Sequence, residues 1–359
     1  MTVSTTITTP ITVGRLPLKN RLVLAPLTRL RNSAEGVPQA HAPTYYAQRA
    51  TDGGLEITEA AFIAQEAGGL PGAPGIYSKE QIAGWKKVTD AVHAKGGYIF
   101  VQLWALGRTA SPDHVTVYGP SDDVYTHGGG NVEVKALSEA DIDRYVGEYR
   151  QAALNAVEAG FDGVEVHGAN GYFLQSVSNH RTDQYGGSLE NRIRFPLRVV
   201  NAVADAIGAD RVGLRTSPFS TFQGMREADP LATFKPWISA VLAAQPKLAY
   251  IHAVEERIAG NVDVAPTEDG SASIEPLRDI VNASPHTEFI AAGGFTPELA
   301  TQLLAQRGGL VAFGRHYIAN PDLLARIVNK VDLNPYDRKT FYGGSETGYT
   351  DYPAYAQEA

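Results

Sequence analysis

The chain of 359 residues contains no cysteine. Disulfide frameworks, cysteine-ligated iron–sulfur clusters and thiolate nucleophiles are thereby excluded from its chemistry. It also lacks long apolar runs: no segment approaches the roughly 18 uninterrupted apolar residues that a membrane helix needs. The Thr-rich start, Met1 to Pro10, has no apolar core behind a positive flank, so neither a signal peptide nor an anchor is expected there. Charge of one sign never gathers into a block, since 31 Lys and Arg are interspersed with 39 Asp and Glu for a formal charge of -8. That balance argues against nucleic acid or an anionic membrane as the main partner. A cytoplasmic, soluble protein is the expectation. Linkers and low-complexity tracts are missing too, so residues 1–359 are expected to form one domain.

What is present is a repeat of short apolar runs alternating with longer amphipathic segments, the signature of β-α units. Eight runs have strand length: Arg21 to Ala25, Leu55 to Ala60, Tyr98 to Trp104, Asp162 to His167, Val212 to Thr216, Leu248 to Val254, Glu288 to Gly293 and Leu310 to Gly314. Between them, Ser138-Glu-Ala-Asp141 reads as a capping box, and Thr296-Pro297-Glu298 as an N-cap followed by Pro and an acid in the first turn. Eight strands each followed by a helix predict an α/β fold, a single (β/α)8 TIM barrel. The first ten to twenty residues are expected to form a hairpin under the barrel. Arg108 to Lys135, with Gly128-Gly129-Gly130, form an inserted loop after strand 3 that reads as irregular. The Tyr- and Gly-rich tail from Asn334 is expected to pack against the body of the molecule.

Barrel chemistry sits where strands run into the following loops, so polar residues there carry the functional signal. Gly293-Gly294 after strand 7 and Gly314-Arg315 after strand 8 let backbone amides approach an anion, with the helix starting at Thr296 pointing its positive end the same way. A Gly-Gly pair elsewhere would simply turn the chain; two such sites on adjacent strands favour phosphate. Gln102 and Arg215 lie on strands that should be buried, where each needs a partner, supplied by a neighbouring carboxylate or by a ligand. Together with Thr28 they would match a planar heteroaromatic ring with carbonyl and nitrogen edges, such as an isoalloxazine. At the end of strand 4, V-E-V-H-G-A-N-G-Y places His167, Asn170 and Tyr172 within six positions. This is either a capped, packed turn or three side chains converging on one ligand. On a helical turn, 167 and 170 would be neighbours and 172 would be rotated away. No histidine pair has metal-ligand spacing, and no Lys ends a strand to form a Schiff base, which disfavours a barrel aldolase or sugar-phosphate isomerase.

These residues resemble the Old Yellow Enzyme family of FMN-dependent ene-reductases. The carrying motifs are A-P-L-T-R (25–29), A-P-G-I-Y-S (73–78), V-Q-L-W-A-L-G-R (101–108), V-E-V-H-G-A-N-G-Y (164–172), N-H-R-T-D-Q-Y-G-G-S-L-E-N-R (179–192), F-G-R (313–315) and F-Y-G-G…G-Y-T-D-Y-P (341–353). The resemblance implies bound FMN across the barrel mouth, with Pro26, Leu27, Thr28, Ala60, Gln102 and Arg215 along the ring. Gly293, Gly294, Phe313, Gly314 and Arg315 would lie at the phosphate end. It implies NADPH or NADH as reductant and ping-pong turnover, because both substrates must use one face of the ring.

Reduction of an enone, enal or nitroalkene is then expected, with hydride arriving from flavin N5 at an electrophilic carbon. His167 and Asn170 would hold the substrate oxygen and stabilise the charge that grows on it, and would likewise bind phenolic ligands. Of the pair only His167 could make that binding titrate. Tyr172, protonated at neutral pH, would supply the proton. Trp104, Phe222, Gln223 and Tyr342 match positions that shape the family's substrate pocket. The alternative is a flavin-dependent isomerase or reductase of an unsaturated aldehyde in a secondary-metabolite pathway; relatives that isomerise commonly carry Phe where Tyr172 stands. The quaternary expectation is a monomer or homodimer.

Overall fold

Eight parallel strands close into a barrel: Leu22–Leu24 (β1), Leu55–Phe62 (β2), Tyr98–Trp104 (β3), Gly163–Gly168 (β4), Val212–Thr216 (β5), Tyr250–Val254 (β6), Glu288–Ala292 (β7) and Leu310–Phe313 (β8). They pair in chain order, and β8 closes on β1 through Val311↔Leu22 to Phe313↔Leu24. The structure is a computed structural model that describes residues 5–127, 130–175, 179–265, 267 and 272–355. Each strand matches one of the eight apolar runs to within a few residues. β2 and β4 are buried along their whole length, as expected of parallel strands covered on both faces.

Side chains alternate across each strand, so β3 sends Phe100, Gln102 and Trp104 to one side and β4 sends Gly163, Glu165 and His167. The register sets these against each other: Gln102 pairs with Glu165, and His167, Arg215 and His252 sit side by side on β4, β5 and β6. Below this polar layer, Val23, Leu55, Phe100, Tyr250, Ile290 and Leu310 fill the interior. The base is plugged by a hairpin, Ile11–Val13 with Leu16–Leu18, as predicted. Its Val13, Leu16 and Leu18 are buried in the same cluster, a stabilisation of about 1.5–3 kcal/mol each. Gly14 makes the turn at φ 56°, and a Cβ there would sit 2.0 Å from the Asp210 carbonyl oxygen.

The helices start where local chemistry directs. Ser138 and Asp141 form the predicted capping box, and Ser78 with Gln81 forms a second one. Thr296 caps the helix Pro297–Arg307 through the Leu299 N–H. The tail is held from below by arginines: Arg29 donates to the Phe341 and Gly348 carbonyls at 2.8 and 2.9 Å, and Arg31 to Ser345 at 2.6 Å. Tyr349 then stacks on Tyr45 with ring centroids 4.0 Å apart.

The insertion after β3 departs from expectation. Rather than an irregular loop, it is a small sheet in which Asp123–His127 runs antiparallel to Gly130–Ala136, with Tyr118–Gly119 alongside. Val117, Val132 and Val134 pack onto Phe62 and Trp104. The signal was the period-two pattern of N-V-E-V-K; the glycine run obscured it, and its Gly128 and Gly129 lie outside the described residues. Arg181 of the N-H-R-T-D motif ties this sheet to the loop after β4 by donating to the Pro120 carbonyl at 2.8 Å.

Candidate active site

The C-terminal ends of the strands surround a cavity of about 480 Å³, within the roughly 300–1,000 Å³ usual for small-molecule sites. Its lining includes Pro26, Leu27, Thr28, Asn170, Tyr172, Arg215, Phe222, Gly293, Gly294, Phe313, Gly314, Arg315 and Tyr342, thirteen of the residues singled out in the sequence. Ala60, Gln102, Trp104, His167 and Gln223 are not in that lining. Each has a physical reason. Ala60 packs in the buried cluster with Phe62 and Trp104. Gln102 is turned into the barrel, where its amide donates to Glu165 at 2.7 Å. Trp104, 1% exposed, backs the site from behind by stacking on Phe62 at 5.1 Å and meeting Tyr172 edge-on at 4.9 Å. Gln223 is held in the left-handed region at φ 55°, where Arg108 of the insertion donates to its carbonyl at 2.7 Å.

His167, Asn170 and Tyr172 are brought together, but not by a helical turn. β4 ends at Gly168, Asn170 and Gly171 take φ 59° and 73°, and a 3-10 turn follows at Phe173. The two left-handed residues reverse the chain, so that the Tyr172 ring stands edge-on to His167 at 5.1 Å. Ser217 fixes the reversal by accepting from the Asn170 N–H at 2.8 Å. Gly171 has room for little else, since a Cβ there would meet the Gln223 Cβ at 3.0 Å.

His167 is 4% exposed. Its Nδ1 accepts the Ala169 N–H at 3.2 Å, so a neutral ring carries its proton on Nε2. Burial pushes this histidine well below its ordinary pKa, and the nearby charges of Arg215 and His252 push the same way. Of His167 and Asn170 only His167 could make binding titrate, and its burial favours the neutral ring, an N–H donor through Nε2.

Beneath the cavity lies a polar cluster that the strand-end reading missed. Glu165, fully buried, takes Gln102 on Oε1 and meets Nδ1 of His252 at 2.8 Å on Oε2. Arg215, half-buried where its strand neighbours are buried, has an Nε without a hydrogen-bond partner, as does His252 at Nε2. The opposite side is made of small residues: Ala25, Ala292, Ala312, Gly293, Gly294 and Gly314. A Cβ added at Gly314 would meet only Leu27 within 4 Å, and one at Gly294 nothing closer than 3.6 Å.

No residue of the helix that begins at Pro297 is in the cavity lining, which includes Phe295 before it, and the Leu299 N–H of that helix is taken by the Thr296 side chain. The short helix Arg315–Ala319 opens onto it instead. Arg315 lines the cavity, its guanidinium held by Asp263, with Nη1–Oδ2 at 2.6 Å. Arg338 also reaches Asp263, at 3.3 Å.

A family model described as the NADH:flavin oxidoreductase / NADH oxidase family matches residues 6–334. The chain belongs to the Old Yellow Enzyme family. A chanoclavine-I aldehyde reductase of Penicillium roqueforti is 49% identical, covering 96% of this chain and 95% of that protein. A 12-oxophytodienoate reductase of Oryza sativa subsp. japonica is 43% identical over 96% of this chain and 92% of its own. The solved structure of an old yellow enzyme homologue from Zymomonas mobilis superposes with a TM-score of 0.87 at 34% identity, covering 97% of this chain and 99% of that one. Old Yellow Enzyme relatives use FMN with NAD(P)H as reductant, and this protein is an FMN-dependent oxidoreductase. The residues present fit that cofactor: small side chains leave a recess, and Arg215 lines it with a buried Nε that has no partner among the described residues. Among the described residues no group of His, Asp and Glu could hold a metal ion, and no helix is long and apolar enough to cross a membrane.

Proposed function

We propose that the enzyme reduces activated C=C bonds of enones, enals or nitroalkenes, with Tyr172 as the proton donor. The observation that carries this reading is the turn after β4, which sets Asn170 and Tyr172 on the cavity wall and stands the Tyr172 ring edge-on against the buried His167. When bound, FMN supplies hydride to the electrophilic alkene carbon. The work of the protein is to hold the substrate oxygen and finish the reaction with a proton.

His167 donates through Nε2, because Nδ1 is committed to the Ala169 backbone. Asn170 donates through its amide at every relevant pH. Both stabilise negative charge as it grows on the oxygen, and neither costs reorganisation because turn and strand fix them. Tyr172, braced edge-on by Trp104 and His167, transfers its hydroxyl proton to the carbon next to the polarised group. Arg215, Pro26, Leu27, Thr28 and Phe313 would hold the ring, with Ala60 and Gln102 behind them. Gly293, Gly294, Gly314 and Arg315 would take the phosphate. Phe222, Gln223, Trp104 and Tyr342 shape the space left for the substrate. The aldehyde in the name of the Penicillium relative supports an unsaturated aldehyde within this class.

The test separates the two half-reactions in a stopped-flow experiment. Tyr172→Phe is expected to leave reduction of the bound flavin by NAD(P)H within about twofold, and to slow its reoxidation by an enone about 10²–10⁴-fold, the usual worth of a general acid. Equal slowing of both would remove Tyr172 from the proton-donor role.

A further inference from the structure

We infer that Glu165 is a positioning residue for the flavin, setting both the orientation of the Gln102 amide and the charge balance around Arg215. The inference rests on the reading that FMN lies across this mouth, and it concerns a side chain that touches neither cofactor nor substrate.

The geometry is specific. Glu165 is wholly buried one layer below the mouth. Both its oxygens are engaged, Oε1 by the Gln102 amide at 2.7 Å and Oε2 by His252 Nδ1 at 2.8 Å. An amide is nearly symmetric in shape, so nothing in packing alone decides which way Gln102 faces; a carboxylate can only accept, and it fixes the NH₂ inward. The Gln102 carbonyl oxygen is then the group free to accept from a ring N–H. The same logic applies to His252, whose Nδ1 proton is held by Glu165 and whose Nε2 is left as a bare acceptor without a partner. Arg215 pairs with His252 in the strand register, and its Nε is likewise unpartnered. One barrel layer thus holds a donor at Arg215, on the cavity wall, and acceptors at Gln102 and His252, which are buried outside the cavity lining.

Charge makes the second half of the case. A carboxylate with no solvent contact is retained only where a cation compensates it. Among the described residues no arginine forms an ion pair with Glu165, whose direct partner is His252; Arg215, on the neighbouring strand, is the cation in reach of its field. If Glu165 lost its charge, the positive field of Arg215 would act undiminished on the cofactor and would favour the form carrying more negative charge.

Two substitutions separate charge from reach. Glu165→Gln keeps the length and removes the charge: the affinity for reduced FMN relative to oxidised FMN is expected to rise about tenfold, an upward shift of about 30 mV for a two-electron couple. Glu165→Asp keeps the charge and shortens the reach: the potential is expected to stay near that of the parent, while FMN binds about tenfold more weakly as Gln102 loses its anchor. Potentials are read against a reference dye and affinities by flavin fluorescence, with circular dichroism to confirm the fold. A folded Glu165→Gln protein with unchanged potential overturns the charge role. A folded Glu165→Asp protein with unchanged FMN affinity overturns the positioning role, and this arm decides the matter even if the glutamine variant does not fold. A parent protein that fails to take up FMN at all would instead remove the placement of the cofactor on which the inference stands.

Discussion

The two halves of the barrel mouth are built on opposite principles. From β7 through β8 to β1 the interior positions are alanine and glycine, with Ala292, Gly293, Gly294, Ala312, Gly314 and Ala25 making a recess. From β3 through β6 they are Trp104, Glu165, His167, Arg215 and His252, large or polar, with Glu165 bound to His252 and Trp104 stacked on His167. One half gives room and the other gives direction. A ligand is accommodated where side chains are missing and oriented where they are locked by their neighbours, so the halves should respond differently to substitution.

The largest effect is expected from filling the recess. Ala312→Leu puts a larger side chain into the recess that the ligand would fill. It should weaken FMN binding by at least about 100-fold, the equivalent of about 2.7 kcal/mol. Fluorescence titration of flavin-free protein checks this, and retention of FMN with parent affinity would break the distinction between the halves. On the directing half, His167→Asn is expected to weaken binding of a phenolic ligand about tenfold, one charge-assisted hydrogen bond being worth about that much. The parent enzyme should bind the phenol without a histidine break between pH 6 and 8, once ionisation of the phenol itself is allowed for. A break near pH 6.5 that disappears in the variant would show that His167 does titrate there.

The directing half should also carry a pH cost. His167 and His252 both have folded pKa values pushed below the usual 6.5, chiefly by burial. Above 6.5 both states are neutral and nothing is lost. Below it the unfolded chain takes up protons that the folded one refuses, so stability falls with pH, by up to about 1.4 kcal/mol per pH unit for each histidine. Urea unfolding at pH 7.5 and 5.0 measures the slope, and His167→Asn should reduce it; an unchanged slope would place the acid sensitivity elsewhere. The smallest effect is expected from Arg108→Ala. Losing the bond to the Gln223 carbonyl should loosen the loop after β5 and raise KM for a bulky enone about fivefold, the equivalent of about 1 kcal/mol, with flavin reduction by NAD(P)H untouched. A parallel loss of flavin reduction would mean that the insertion acts on the cofactor half as well.

Much of this was legible from spacing. Eight apolar runs located the eight strands because a parallel strand buried on both faces has little choice but Val, Ile, Leu and Ala. The capping box at Ser138 and the cap at Thr296 were legible because a helix start is a local hydrogen-bonding problem. The directing cluster was not. Glu165 sits two residues before His167 and His252 two before Val254, so period-two alternation placed them on the interior face. Their importance arises only when the register sets Glu165 beside Gln102, 63 residues away, and leaves it within reach of His252, 87 residues away. The same holds for Asp263 on Arg315 and for the arginines under the tail: a charge gives its sign in the sequence and its partner only in the fold.

By itself, then, the sequence determined the barrel, the hairpin under it, the glycine recess and the family to which the chain belongs, because these rest on local periodicity and on residues whose properties are their own. The tertiary structure decided that Gln102 faces inward, that Trp104 stands behind the site, that His167 is a neutral donor and that the insertion is a sheet. Burial, tautomer and hydrogen-bond partner are properties of pairs, and closing the barrel is what makes the pairs.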